Sequence, residues 1–120
     1  MNVKEEINVD EIFEKIENYF GFVPKIFQVL AENPATLNTY FEKLEAINNN
    51  DSLSSLTKEF ISIGAASAIG AEHCLLTHLK VAKEFGATDE QLFLAVIMGS
   101  QIAETDVLAK SLRVYEDFKK

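Results

Sequence analysis

Hydrophobic residues recur at spacings of three and four along the chain, which is the period of an amphipathic helix. In the first segment this spacing connects Ile12, Phe13, Ile16, Tyr19 and Phe20. No segment shows the strict alternation that is typical of a half-buried strand. The pattern therefore predicts an all-α protein.

Capping and helix-breaking residues divide the first part of the chain. We expect the first helix to be capped by Asp10 and to end at Gly21, because a glycine there can take a positive φ. A short second helix is predicted with Pro24 in its first turn, and the Asn33-Pro34 pair ends it.

A third helix is predicted over about 35–47, and the polar string NNNDS at 48–52 follows it as a loop. The loop is short and contains no glycine, so it indicates a connection within one domain rather than a linker. A length of 120 residues also fits one domain. We therefore expect a single domain over residues 1–120.

The next helices are predicted from small residues and glycines. Ser54 or Ser55 is expected to cap a central helix that continues as FISIGAASAIG, whose small side chains allow another helix to approach closely. Gly70 separates it from a helix over about 71–85, which stops at Gly86.

Two helices are expected in the remaining chain. Thr88 and Gln91 form the pattern of a capping box, and the helix that follows carries LFLAVIMG. This segment is apolar nearly all round, which favours burial by its own domain on one side and by another subunit on the other. A separate amphipathic helix is predicted over about 104–118.

Charge and composition exclude some classes of function. The formal net charge of −8 disfavours nucleic-acid binding, which depends on Lys and Arg. The acidic start of the chain is unlike a secretory signal, and the longest apolar run is far shorter than the roughly 20 residues that cross a bilayer. With a single cysteine, no internal disulfide can form. We therefore expect a cytoplasmic protein with no membrane or nucleic-acid partner.

The stretch GAEHCLLTH at 70–78 contains the only cysteine and both histidines. Cys74 and His78 are four residues apart and therefore lie on one face of the predicted helix. A neighbouring imidazole and the start of a helix both favour the thiolate, the form that attacks substrates. Glu59 is the candidate third group that orients or protonates the histidine, and His73 is an auxiliary.

Simpler interpretations remain open for each of these residues. Cys74 would also fit as a small buried hydrophobe, His78 as a core or surface residue, and Glu59 as a helix acid that complements the dipole. A metal site formed by His73, Cys74 and His78 is disfavoured, because adjacent residues point about 100 degrees apart on a helix. We expect neither a metal nor another cofactor.

Two longer stretches, GFVPKIFQVLAENPATLNTYFEKLEAI and LTKEFISIGAASAIGAEHCLLTHLKVAKEFGATDEQLFLAV, resemble the carboxymuconolactone decarboxylase and AhpD family. Peroxidase-type members carry a glutamate, a C-x-x-C pair with an inner histidine, and a further histidine. In this resemblance Glu59 matches the glutamate, His73 the inner histidine, Cys74 the second cysteine and His78 the last histidine. Ala71 stands where the first cysteine is expected.

The resemblance implies an AhpD-like bundle of about six to seven helices, assembled as a homotrimer or homohexamer. It also implies a thiol-dependent oxidoreductase of peroxidase type, in which Cys74 works alone with an external thiol reductant because Ala71 removes the internal dithiol cycle. An acid and base enzyme acting on a lactone or small organic acid is the alternative, although Arg113, the single arginine, lies far from the site in sequence. A noncatalytic helical oligomer is the third possible function.

Overall fold

The computed structural model describes residues 6–120, and this part of the chain contains six α-helices and no strand. The helices are Val9–Phe20 (α1), Lys25–Leu30 (α2), Pro34–Asn49 (α3), Ser55–Ile69 (α4), Glu72–Glu84 (α5) and Asp89–Phe118 (α6). The prediction of an all-α protein is confirmed.

The chain forms two compact units, one that ends at Ser52 and one over Leu53–Lys120. The first unit contains α1, α2 and α3, and the second contains α4, α5 and α6. That residues 1–120 form a single domain stays a prediction.

The first unit is built around apolar side chains from all three of its helices. The buried residues of this core are Ile12, Ile16, Phe27, Leu37 and Phe41. Ile12 and Ile16 are four residues apart, so they lie on one face of α1. These two residues are the part of the core that belongs to the predicted apolar face of the first helix.

The ends of the first three helices differ slightly from the prediction. Asn8 caps α1 by accepting a hydrogen bond from the backbone N–H of Glu11 at 3.0 Å, whereas Asp10 lies in the first turn. The prediction of Asp10 as the cap is therefore wrong. Asn33 caps α3, as the break before Pro34 indicates, but α3 continues to Asn49 and takes in the start of the predicted loop.

In the second unit α4 packs against both α5 and α6. Ser54 caps α4 and Gly70 ends it with a φ of 71°, both as the sequence predicts. The buried core of this unit consists of Ile63, Ala82 and Ala87, with leucines of α4, α5 and α6 packed around it. This arrangement fixes the face that α4 presents to α5.

The helices α4 and α6 touch through their backbones at two glycines. A Cβ atom at Gly99 would lie 2.2 Å from the carbonyl oxygen of Gly64, which is far inside van der Waals contact. No side chain therefore fits at Gly99. The small residues predicted to allow close helix packing do so at this crossing.

The two helices predicted for the end of the chain are one continuous helix. The capping box at Thr88 and Gln91 is present, but α6 then runs for 30 residues to Phe118 without a boundary near Glu104. The separate last helix is therefore wrong. No proline follows Gln91, and Gly99 has a helical backbone that packs on α4, so nothing interrupts the hydrogen-bond ladder.

By length and composition α6 is long and apolar enough to cross a membrane, and none of this stretch is buried within the chain. The longest uninterrupted apolar run underestimates such a helix, because a few polar residues separate its apolar ones. A single helix of this kind is weak evidence, so this property alone does not place α6 in a bilayer.

Candidate active site

Glu59 is the one buried charged residue in the described part of the chain, with 2% of its surface exposed. It lies on the face of α4 that also carries the buried residues Ile63 and Ala66. Removing a carboxylate from water is costly unless a partner compensates. The structure supplies this partner from α5.

His78 approaches the carboxylate from the facing helix. Its Nδ1 lies 2.5 Å from Oε2 of Glu59, although the two residues are 19 positions apart in sequence. The imidazole is partly open to solvent, with 23% of its side chain exposed. The pair thus connects a buried carboxylate to the protein surface.

This geometry can orient and activate an imidazole. When the neutral His78 ring donates Nδ1–H to Glu59, its Nε2 carries the lone pair and can act as a base. The nearby carboxylate also stabilises the imidazolium that forms when Nε2 takes up a proton. The Glu59–His78 pair therefore has the geometry of a base and the acid that orients it.

Cys74 lies in the first turn of α5, one helical turn before His78 and on the same face. The thiol is exposed and forms no disulfide. The interpretation of Cys74 as a small buried hydrophobe is therefore wrong. Its position near the N-terminus of α5 places the sulfur where the helix dipole favours an anion.

Ala71 precedes α5 as its N-terminal cap residue and provides no side-chain hydrogen bond to it. Its backbone is fixed on both sides, since its N–H donates to Ala66 and its carbonyl accepts from Leu75. The position one helical turn before Cys74 is thus well defined and contains no thiol.

His73 is exposed beside Cys74, and its direction from the axis of α5 differs by about 100 degrees. The structure therefore brings together Glu59 and His78, with Cys74 one turn away, and leaves His73 on a neighbouring face. Among residues 6–120, no group of three or more His, Cys, Asp or Glu side chains is arranged to hold a metal ion.

Sequence reasoning did not find an apolar groove between α4 and α6. It has a volume of about 610 Å³ and is lined mainly by Phe60, Ile61, Ala65, Leu94, Met98 and Ile102. The small residues of FISIGAASAIG were the available signal, because they allow the close approach that shapes this surface. We call it the α4/α6 groove.

Comparison with protein families gives a match to the carboxymuconolactone decarboxylase family over residues 34–117, most of the chain. The chain belongs to the carboxymuconolactone decarboxylase family. The matched range includes the whole of α4 and α5, and with them Glu59, Cys74 and His78.

Comparison with solved structures gives a second match. The core of the alkylhydroperoxidase AhpD from Rhodospirillum rubrum ATCC 11170 superimposes with a TM-score of 0.75 and 26% sequence identity. The match covers 88% of this chain and 79% of that chain. The AhpD-like helical fold of this family member is therefore confirmed. No curated protein matches the sequence significantly.

Proposed function

We propose that this member of the carboxymuconolactone decarboxylase family is a thiol-dependent oxidoreductase of peroxidase type that works with one cysteine. The observation that carries the proposal is the Glu59–His78 contact, located one helical turn from the exposed thiol of Cys74. The likeness to an alkylhydroperoxidase core supports a hydroperoxide as the oxidising substrate.

In the first half of the reaction, His78 takes the proton of the Cys74 thiol, and Glu59 stabilises the resulting imidazolium. The thiolate then attacks the terminal oxygen of a hydroperoxide, the one that carries hydrogen. An S–O bond forms while the O–O bond breaks, and the departing alkoxide takes the proton from His78. The products are an alcohol and a sulfenic acid on Cys74.

The second half requires thiols from outside the chain, because Cys74 is the only cysteine and Ala71 stands one turn before it. One external thiol attacks the sulfenic sulfur, which forms a mixed disulfide and releases water. A second external thiol then reduces this disulfide and restores the Cys74 thiol. Each cycle consumes one hydroperoxide and two thiols.

The test is consumption of hydrogen peroxide and of an organic hydroperoxide by the purified protein, with monothiol and dithiol reductants in turn. Cys74→Ser should abolish thiol-dependent turnover, and a sulfenic acid trap should label the wild type at Cys74. His78→Ala and Glu59→Gln should each lower the rate about 100-fold, the usual contribution of a general base. Lys80→Ala, an exposed change on the same helix, is the matched control.

A second candidate function is supported by one feature of the pair. Glu59 and His78 form a complete base and orienting acid without any thiol, so they also suit proton transfer on a lactone or another small organic acid. In that case Cys74→Ala should retain the activity that His78→Ala removes. Loss of peroxidase turnover in Cys74→Ala supports the first proposal and opposes the second.

A noncatalytic role would give a third pattern. The wild type would then consume neither hydroperoxide nor lactone above the rate of the Cys74→Ser and His78→Ala variants. That result would overturn both catalytic proposals, since each requires the Glu59–His78 pair to change a rate.

A further inference from the structure

Thr77 is a neighbour of Cys74 on the surface of α5. It follows Cys74 by three residues and precedes His78 by one. Residues three and four apart on a helix have Cβ atoms about 5–6 Å from each other, so Thr77 and His78 both adjoin Cys74. Because consecutive residues point about 100 degrees apart, they adjoin it from two different sides. The thiol is therefore flanked by an imidazole and by a hydroxyl group.

The side chain of Thr77 leans toward the turn that carries the thiol. In an α-helix each Cα–Cβ bond is tilted toward the N-terminus, so a side chain covers the turn that precedes its own Cα. For Thr77 that turn contains Cys74. Thr77 is half-buried and Cys74 is exposed, so both groups are open to solvent. A molecule that reaches the sulfur from solvent thus comes close to the hydroxyl.

The hydroxyl of Thr77 is not used within the helix. Hydroxyls of helical Ser and Thr residues commonly donate to a carbonyl of the preceding turn. Thr39, Ser62 and Ser111 each donate in this way to the carbonyl four residues before them, at 2.8–3.1 Å. Thr77 has no such bond to any residue that the structure describes. Its proton is available to a group outside the chain.

The reaction proposed above creates a charge that a hydroxyl can stabilise. When the thiolate attacks a hydroperoxide, the S–O bond forms, the O–O bond breaks, and its electron pair stays on the departing oxygen. Negative charge develops on this oxygen until it takes the proton from His78. Hydrogen-bond donors aimed at an atom where charge develops stabilise the transition state more than the ground state.

We propose that Thr77 is a further catalytic residue, which donates a hydrogen bond from its hydroxyl to the departing oxygen of the hydroperoxide. Thr77 keeps its own proton, so the products are unchanged: a sulfenic acid on Cys74 and an alcohol that carries the proton from His78. The inference rests on the proposed peroxidase function. It adds a group that acts on the oxygen to a pair that acts on the thiol.

Other donors near the thiol are placed less well for this task. His73 is exposed on a neighbouring face of α5. The Oγ atom of Ser67 on α4 is enclosed by the protein, so a hydroperoxide from solvent does not reach it. The backbone N–H groups in the first turn of α5 point along the helix axis and favour the thiolate rather than the departing oxygen.

The test compares oxidation and alkylation of Cys74 in single turnovers. Thr77→Val removes the hydroxyl and keeps the branched shape of the side chain. It should slow oxidation by hydrogen peroxide and by an organic hydroperoxide about tenfold or more, the effect of losing one hydrogen bond to a charged oxygen. Alkylation by iodoacetamide produces no charged oxygen, so its rate should be unchanged.

Two variants serve as controls. Thr77→Ser keeps the hydroxyl and should restore oxidation to a rate close to that of the wild type. Thr105→Val makes the same change at an exposed position of α6 and should alter neither rate. Circular dichroism checks that all three variants keep their helices.

Equal slowing of oxidation and alkylation in Thr77→Val would overturn the inference, because the change would then act on the thiol or on the fold. Oxidation of Thr77→Val at the wild-type rate would overturn it too, as would a Thr77→Ser variant as slow as Thr77→Val. Each of these results leaves the peroxidase function intact, provided that the wild type is oxidised faster than a cysteine in an unstructured peptide. Without that difference the peroxidase function itself fails, and the role of Thr77 fails with it.

Discussion

At the residue scale, the contact between Glu59 and His78 is the centre of the candidate site. Burial makes an unpartnered carboxylate costly, and the imidazole of α5 removes that cost at 2.5 Å. When Nδ1 donates to Glu59, the lone pair of His78 lies on Nε2. Cys74, exposed one turn earlier on α5, is the group on which that nitrogen would act.

The reactivity of Cys74 tests this arrangement directly. Iodoacetamide should alkylate Cys74 in the folded wild type at pH 7 faster than it alkylates a cysteine in an unstructured peptide. His78→Ala should slow the reaction, because it removes the base that lies one helical turn from the thiol. Lys80→Ala should leave the rate unchanged. An equal rate in the wild type and His78→Ala would show that the Glu59–His78 pair does not affect the reactivity of Cys74.

The position of Ala71 gives a second prediction at this scale. In Ala71→Cys, two thiols lie one helical turn apart at the start of α5, a spacing that closes into a disulfide without a large backbone movement. Mild oxidation should produce this internal disulfide, detected as a loss of two hydrogens in the intact mass. With a suitable dithiol, the variant should gain reductase turnover that Glu59→Gln lowers.

The control for this variant is Glu72→Cys, which places the second thiol two residues from Cys74 and on the opposite side of the helix. It should remain unpaired under the same oxidant. If Ala71→Cys also remains unpaired, residue 71 does not correspond to the first cysteine of a C-x-x-C pair, and the matched roles of His73 and Cys74 fail with it.

At the scale of elements, the crossing of α4 and α6 depends on backbone contact between two glycines. Only Gly99 has its Cβ position blocked, since a Cβ built at Gly64 meets nothing within 4 Å. The two glycines therefore differ in whether the packing tolerates a side chain at their position. Gly99 is required by packing, whereas Gly64 weakens a helix that would tolerate a side chain.

Two alanine substitutions should consequently change stability in opposite directions. Gly99→Ala should lower the free energy of unfolding by about 2–3 kcal/mol, because α4 and α6 must separate to admit the methyl group. Gly64→Ala should raise it by up to about 1 kcal/mol, the helix preference for alanine. Urea titrations at one protein concentration measure both. Destabilisation by Gly64→Ala as large as that by Gly99→Ala would contradict this crossing geometry.

At the scale of the whole molecule, α6 packs against α4 and also carries large hydrophobic side chains that the single chain leaves exposed. No residue of this 30-residue helix is buried. The resemblance to the AhpD family implies a homotrimer or homohexamer, in which another copy would cover this surface. Assembly and stability should therefore be linked.

This link predicts that thermal unfolding depends on concentration. Binding of another copy to the folded chain stabilises it by mass action, so the Tm of the wild type should rise as the protein concentration increases. The Tm of Leu112→Glu should be lower and independent of concentration, while that of Arg113→Glu should follow the wild type. A wild-type Tm that is constant over a 100-fold range of concentration would exclude coupled assembly.

The sequence by itself determined the all-α class, most helix ends and the residues of the candidate site. Caps such as Asn33 and Thr88 act through hydrogen bonds three residues away, and the spacing of Cys74 and His78 follows from one helix, so these features are local. The family was recognisable from two long stretches of sequence, a likeness that does not depend on how the helices pack.

Only the tertiary structure decided which distant residues meet. The contact of Glu59 with His78 depends on how α4 and α5 pack, and no spacing within one helix specifies it. The sequence prediction began a separate helix at about residue 104, whereas α6 continues through that point and its Gly99 is held in the helix by packing against Gly64. The α4/α6 groove likewise exists only once the two helices are in contact.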